Sequence, residues 1–312
     1  MHNFDSFLKA YFESQEIKTI LIDIGIDLFI NDFSKTRRPS SISYYKDHLK
    51  PFKAFCNSRG IKYFNEINNS FIGAYIQKLK YANNENITIN KRVALIKIVM
   101  NYLFLNGYIS SFELIFPRLE VKPKEIKTIS DNQLIELLDY TKNIHKKKRL
   151  IILLLISTGI RRNELVNILI KNIDFDNKRI YLDFTKSKKA RYIYLNDSLI
   201  LLIKNVISSN TQTVYLFENK FGLQLEPNYI TYLLFSVKKE LNFNVLSPHK
   251  LRHTYATYLL KNGANQEEVR RLLGHSDFKM TKRYIDYIDN DLQKANNLYN
   301  PLNLLNERLK NE

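Results

Sequence analysis

Cysteine is almost missing from this chain of 312 residues. Cys56 stands alone, so no intramolecular disulfide and no cysteine-based zinc site can form. It lies in a helical apolar pattern and reads as a core residue. Long apolar runs are missing too. The longest, IILLLI at 151–156, falls far short of the ~20 residues that span a bilayer. The opening residues, MHNFDSFLKAYFES, have no basic stretch followed by an apolar one, so no signal peptide is expected. These absences point to a reducing cytoplasm and away from a membrane. Acidic residues are in short supply: 31 Asp and Glu against 48 Lys and Arg leave a net charge of +17. A generic solubilising surface sits closer to neutrality. An excess of this size calls for a polyanionic partner, nucleic acid before membrane surface. Residues 1–120 carry 16 basic and 11 acidic side chains, and residues 121–312 carry 32 and 20. Both parts can therefore meet a polyanion, the second more strongly.

What is present is mostly helical periodicity. Ile42, Tyr45, Leu49, Phe52 and Phe55 recur at spacings of three and four, the mark of an amphipathic helix. Pro51 within it is expected to kink or split it. Residues 69–80 form a shorter amphipathic segment. Ile89, Val93, Ile96, Met100 and Leu103 repeat the pattern within 88–108, closed by Gly107. Residues 1–115 thus read as a bundle of four or five short helices, a common arrangement with no function of its own. The segment 20–33 fits a helix or a strand. Residues 117–129, with two prolines and several lysines, read as a linker. Ser130 and Gln133 then form a capping-box signature ahead of a new helix. Lys146, Lys147, Lys148 and Arg149 open a buried helix, and they suit phosphate contacts and a solvated helix start equally well. Thr158-Gly159 breaks that helix, and Arg161 follows. Ile180, Leu182 and Phe184 alternate, and Tyr192 and Tyr194 flank Ile193, so a hairpin with a polar turn at 186–189 is expected. Helices follow near 197–207 and 227–240.

The chemistry gathers in residues 246–285, LSPHKLRHTYATYLLKNGANQEEVRRLLGHSDFKMTKRYI. Three of the six histidines lie here, His249, His253 and His275, together with Arg252 and Tyr284. One helix is expected to run out at Gly263, and a second begins with acidic residues that suit its dipole. His249 and Arg252, three apart, share a helix face. Arg forks onto phosphate oxygens, His exchanges protons near neutrality, and a Tyr hydroxyl can act as a nucleophile when cations help remove its proton. Taken singly, each residue suits a basic surface helix with core histidines. Together and in this order they suit phosphate chemistry.

HKLRH, then LLGHSDFKMTKRY with Tyr284 nine residues after His275, resembles the second half of the tyrosine recombinase (phage integrase) active site. TGIRRNEL at 158–165 resembles that family's first box, and Lys186, Lys189 and Arg191 match its K-x-x-K-x-R hairpin pattern. The resemblance covers roughly residues 40–298 and is strongest over 155–290. It implies a mainly α fold with a small antiparallel β-sheet. An N-terminal helical core-binding (SAM-like) domain over 1–116 would clamp DNA. A linker at 117–129, a tyrosine recombinase catalytic domain over 130–298 and a tail at 299–312 that docks either on a neighbouring protomer or on its own domain would complete the chain. It further implies Arg161, Lys186, His249, Arg252, His275 and Tyr284 as catalytic residues, Tyr284 being the nucleophile, with Glu164 supporting Arg161. Lys188 stands close enough to Lys186 to serve in its place, and Tyr287 competes with Tyr284. Lys146, Lys147, Lys148, Arg149, Arg162, Lys188, Lys189 and Arg191 are the expected DNA contacts. The implied enzyme is a Xer-like site-specific recombinase, either the integrase of a mobile element or phage or a resolvase of chromosome dimers, working through a 3′-phosphotyrosyl intermediate. A type IB topoisomerase-like enzyme and an inactive DNA-binding relative are the alternatives. The partners that the resemblance implies are double-stranded DNA with a specific core site, further copies of the chain in a homotetramer on synapsed DNA, and an accessory protein. No metal and no cofactor are expected, because two arginines take the place of a divalent ion.

Overall fold

The computed structural model describes residues 19–37, 39–110, 112–121, 128–183, 190–208 and 214–274. Lys186, Lys188, Lys189, His275, Tyr284, Tyr287 and the leucines of the tail lie outside them. The chain divides into two compact units, Met1–Pro123 and Lys124–Glu312.

In the first unit the segment that fitted helix or strand is a helix, α1 (Ile22–Ser34), which buries Ile22, Ile26, Phe29 and Ile30. Its Gly25 is a packing requirement, since a Cβ there would lie 2.6 Å from the Phe64 ring. Helix α2 (Pro39–Ser58) continues through Pro51, contrary to the expected split. The carbonyl that Pro51 cannot reach belongs to Asp47, an exposed residue. Burial of Leu49, Phe52, Phe55 and Cys56 on the other face outweighs one lost hydrogen bond. Helix α3 (Asn69–Tyr81) starts where the Asn68 side chain accepts the Phe71 N–H at 2.9 Å. Helix α4 (Asn86–Leu105) buries Ile89, Val93, Ile96, Met100 and Leu103, the residues whose spacing marked it. The start of the expected linker is fastened to α4: the Asn90 side chain bonds both the N–H and the carbonyl of Leu119 at 2.8 Å.

In the second unit α5 (Asp131–Tyr140) begins at Ser130 with Gln133 completing the capping box. Helix α6 (Lys146–Thr158) buries Leu150, Ile151, Ile152, Leu154 and Leu155, a nearly all-round apolar surface that marks a central element. The short α7 (Arg162–Val166) follows Gly159 and Arg161. Strands β1 (Ile173–Asp174), β2 (Arg179–Leu182) and β3 (Arg191–Tyr194) form an antiparallel sheet in that order, with Ile180 opposite Ile193 and Leu182 opposite Arg191. Ile180, Leu182 and Ile193 face the core while Tyr192 and Tyr194 are exposed. Helices α8 (Asp197–Ile207), α9 (Pro227–Glu240), α10 (Pro248–Lys261) and α11 (Gln266–Leu273) complete the described part. Helix α6 packs against α8 and α10, and α11 against α10. The chain enters this unit bonded to α10. Ile129 is buried and its N–H donates to Thr254 Oγ1 at 3.1 Å, while the Tyr258 hydroxyl donates to Asp131. Among the described residues no helix is long and apolar enough to cross a membrane.

Candidate active site

Two helix ends and one strand bring the site together. Helix α6 closes on Gly159, whose φ of +58° is left-handed, and the chain turns so that Arg161 caps α7. A Cβ on Gly159 would also lie 2.6 Å from the Tyr255 ring, so glycine is needed for space as well as for backbone angle. Helix α10 starts with Ser247 at its N-cap and Pro248 in its first turn, which sets His249 at an exposed position and turns Arg252 inward, 5% exposed. Helix α11 closes on Gly274, with φ +63°.

The carbonyls at the end of α11 collect the arginines. Arg252 donates to the Leu273 carbonyl and to the Gly159 carbonyl, each at 2.7 Å. Arg161 donates to the Leu273 carbonyl at 3.5 Å and to the Gly274 carbonyl at 3.3 Å. Two guanidinium groups from helices far apart in sequence thus meet at one carbonyl, that of Leu273, two residues before His275 in sequence. Glu164, 5% exposed, balances part of the charge. Its carboxylate accepts from the Arg161 N–H at 3.1 Å and from the Arg161 guanidinium at 2.7 Å. It also accepts from Arg191 at 2.8 Å. Burial raises the Glu164 pKa, but the charges of Arg191 and Arg161 outweigh it and hold the carboxyl below its ordinary value. Two guanidinium groups share this carboxylate and Arg252 adds a third cation at the Leu273 carbonyl, which leaves a cationic centre suited to an anion.

The Tyr255 phenol, beside this centre, is raised by burial against the opposing pull of Arg191 and Arg252. That shift is opposite to what a nucleophile needs, and it fits a packing role.

The structure therefore brings Arg161, Glu164 and Arg252 together and places His249 in the first turn of the helix that bears Arg252. Arg191, expected at the DNA, is turned inward: its side chain is 8% exposed and donates to Glu164 and to the Leu272 carbonyl. A buried carboxylate satisfies the charge that a phosphate was expected to meet. Lys146 and Lys147, also expected at DNA, donate to the carbonyls of Asn205 at 2.8 Å and Glu218 at 3.0 Å. Arg162 donates to Thr231 Oγ1 at 2.8 Å, while Lys148 is exposed. Sequence reasoning missed the acceptor carbonyls of Gly159, Leu272, Leu273 and Gly274. The signal was there in the two glycines that follow apolar helical runs, a pattern that marks left-handed helix ends.

Residues 127–290 match the phage integrase family, and residues 25–114 match the phage integrase SAM-like domain. The chain belongs to the phage integrase family. Membership places it among the Xer-like tyrosine recombinases, site-specific enzymes that break and rejoin DNA strands. The tyrosine recombinase XerA of Saccharolobus solfataricus is 35% identical over 180 residues, 57% of this chain and 58% of that protein. The tyrosine recombinase XerC of Oceanobacillus iheyensis is 25% identical over 296 residues, 88% of this chain and 95% of that protein. Among solved structures, the XerH recombinase bound to palindromic difH substrate superposes with a TM-score of 0.71 at 18% identity, over 83% of this chain and 80% of that one. The Tn1549 transposon integrase in complex with a circular intermediate DNA gives 0.70 at 16% identity, over 88% and 99%. At those identities the likeness is one of fold. Mainly helical architecture with a small antiparallel sheet, as expected for this phage integrase family member, is what the chain has.

Proposed function

We propose that this recombinase cuts and rejoins duplex DNA at a specific core site through a 3′-phosphotyrosyl bond to Tyr284. The observation that carries the reading is the meeting of Arg161 and Arg252 at the Leu273 carbonyl, next to Gly274 and His275. Two forked cations held there suit the non-bridging oxygens of a scissile phosphate and the charge that builds on them in the transition state.

In this reading the Tyr284 oxygen attacks phosphorus, giving its proton to His249, and the bond from phosphorus to the 5′ oxygen breaks. Lys186 donates a proton to that leaving oxygen, and His275 adds a donor to the phosphate. The energy of the broken bond is kept in the phosphotyrosyl ester, so rejoining needs no nucleotide. A homotetramer on two synapsed sites exchanges the strands. The test is a DNA substrate nicked near the scissile phosphate, which traps the covalent adduct for peptide mapping. An adduct on Tyr284 with a free 5′ hydroxyl is expected, and it should form in EDTA. Tyr284→Phe should bind DNA and form none. Arg161→Ala and Arg252→Ala should each lose on the order of 10²–10³ in rate. An adduct on Tyr287 or a 5′-linked product overturns the assignment. Relaxation of supercoiled DNA with no strand exchange would instead indicate a topoisomerase.

A further inference from the structure

Arg191 stands on β3, five residues after Lys186 in sequence, and reaches two other elements. One arm of its guanidinium donates to Glu164 Oε2 on α7 at 2.8 Å. The other donates to the Leu272 carbonyl in the last turn of α11. The second oxygen of Glu164 takes the Arg161 guanidinium at 2.7 Å, so Arg191 and Arg161 share one buried carboxylate. The side chain passes against Gly274, where a Cβ would lie 2.6 Å from Arg191 Cδ and 2.8 Å from Nε. A planar fork suits two acceptors held by two different elements, and the point charge of lysine does not.

We propose that Arg191 is a positioning residue for the cleavage step: it pins the strand that follows Lys186 to the end of α11 and to the Glu164–Arg161 pair. It thereby fixes where the general acid is delivered relative to the arginines. The inference rests on the reading of Lys186 as the acid that protonates the leaving 5′ oxygen. In this scheme Arg191 contacts no DNA, its two arms being taken up by Glu164 and the Leu272 carbonyl on the elements that it ties together.

The experiment uses the full chain and two nicked substrates, one with ordinary DNA and one with sulfur in place of the leaving 5′ oxygen. A thiolate leaves without a proton, so the second substrate is indifferent to the acid. Rates are normalised to the DNA-binding fraction of each protein, which removes any loss of folded enzyme. Arg191→Lys keeps a cation near Glu164 and loses the fork. Its cleavage of ordinary DNA should fall by about 10²-fold, the scale of a roughly 1 Å misplacement. Its cleavage of the sulfur substrate should fall far less, and its DNA affinity and salt dependence should not change. Arg191→Met should show the same pattern more strongly. Unchanged cleavage of ordinary DNA overturns the proposal. So does an equal loss on both substrates, which would place the effect at the arginines. Weakened DNA binding with a shallower salt dependence also overturns it, since that marks a phosphate contact. Lys186→Ala runs alongside. If it shows the sulfur rescue and Arg191→Lys does not, the positioning role alone fails. If Lys186→Ala lacks the rescue, the reading of Lys186 falls and this proposal with it.

Discussion

Gly274→Ala should destabilise the second unit far more than its backbone angle accounts for. An alanine in the left-handed region costs about 1–2 kcal/mol. Gly222, in the same unit, has φ +74° and nothing within 4 Å of a built Cβ, so Gly222→Ala should show that cost alone. Gly274 has φ +63°, and its Cβ would meet Arg191 Cδ at 2.6 Å. Relief to an ordinary contact needs a shift of roughly 1 Å in Arg191, whose guanidinium is held 2.8 Å from Glu164. Drawing a partner away from a buried charge costs up to about 3–5 kcal/mol. Gly274→Ala should therefore cost about 3–6 kcal/mol in total, against 1–2 for the control. The chain has no tryptophan, so urea unfolding is best followed by circular dichroism. Arg191→Ala removes the obstructing atoms. In that background Gly274→Ala should cost no more than Gly222→Ala, giving a coupling of about 2–4 kcal/mol in a double-mutant cycle. Equal costs for the two glycines, or additive effects of Gly274→Ala and Arg191→Ala, would refute the reasoning.

Three other outcomes are expected. Glu164 is held below the ordinary carboxylate pKa in the fold, so it stabilises above its unfolded value of about 4.3 and loses that stabilisation as pH falls through its folded value. The stability gap between the unaltered protein and Glu164→Gln should thus be full at neutral pH and close in acid; a gap constant with pH counts against the pairing. Affinity for a cognate half-site should drop steeply between low and moderate salt, as measured by gel shift, because +17 of charge implies many phosphate contacts. Ending the chain at Asn300 removes Leu302, Leu304, Leu305 and Leu309 and should spare half-site binding while abolishing synaptic complexes; tetrameric complexes from the shortened chain would exclude a tail that docks on a neighbour.

Much of this architecture could be read directly because it rests on local pattern. Ile89, Val93, Ile96, Met100 and Leu103 predict α4, and Ser130 with Gln133 predicts the start of α5. The hairpin is legible from alternation at Ile180, Leu182 and Ile193, but β1 is only two residues long and has no period to detect. Of the kink or split expected at Pro51 the split does not occur, because a single proline is weighed in sequence without the buried face that holds α2 together. At the site, Arg161 and Arg252 were legible as residue types in boxes. Their convergence was not, since it runs through backbone carbonyls that carry no side-chain signature. Arg191 shows the same limit in reverse: a basic residue near a polar turn reads as surface until a buried Glu164 is found beside it.

The entry of the chain into the second unit has a mechanical side. Ile129 and Asp131 are bonded to Thr254 and Tyr258, one helical turn apart on α10. Thr254 Oγ1 in turn donates to the Lys250 carbonyl at 2.9 Å, within the same helix. A pull that reaches Ile129 is therefore passed in part to α10, the helix that carries His249 and Arg252. Hydrogen bonds loaded side by side yield together, while those loaded in sequence yield one at a time. The ties at Thr254 and Tyr258 lie one turn apart, so load that reaches both is shared over a turn of α10. What is fastened to the start of the second unit is therefore the helix that also carries His249 and Arg252.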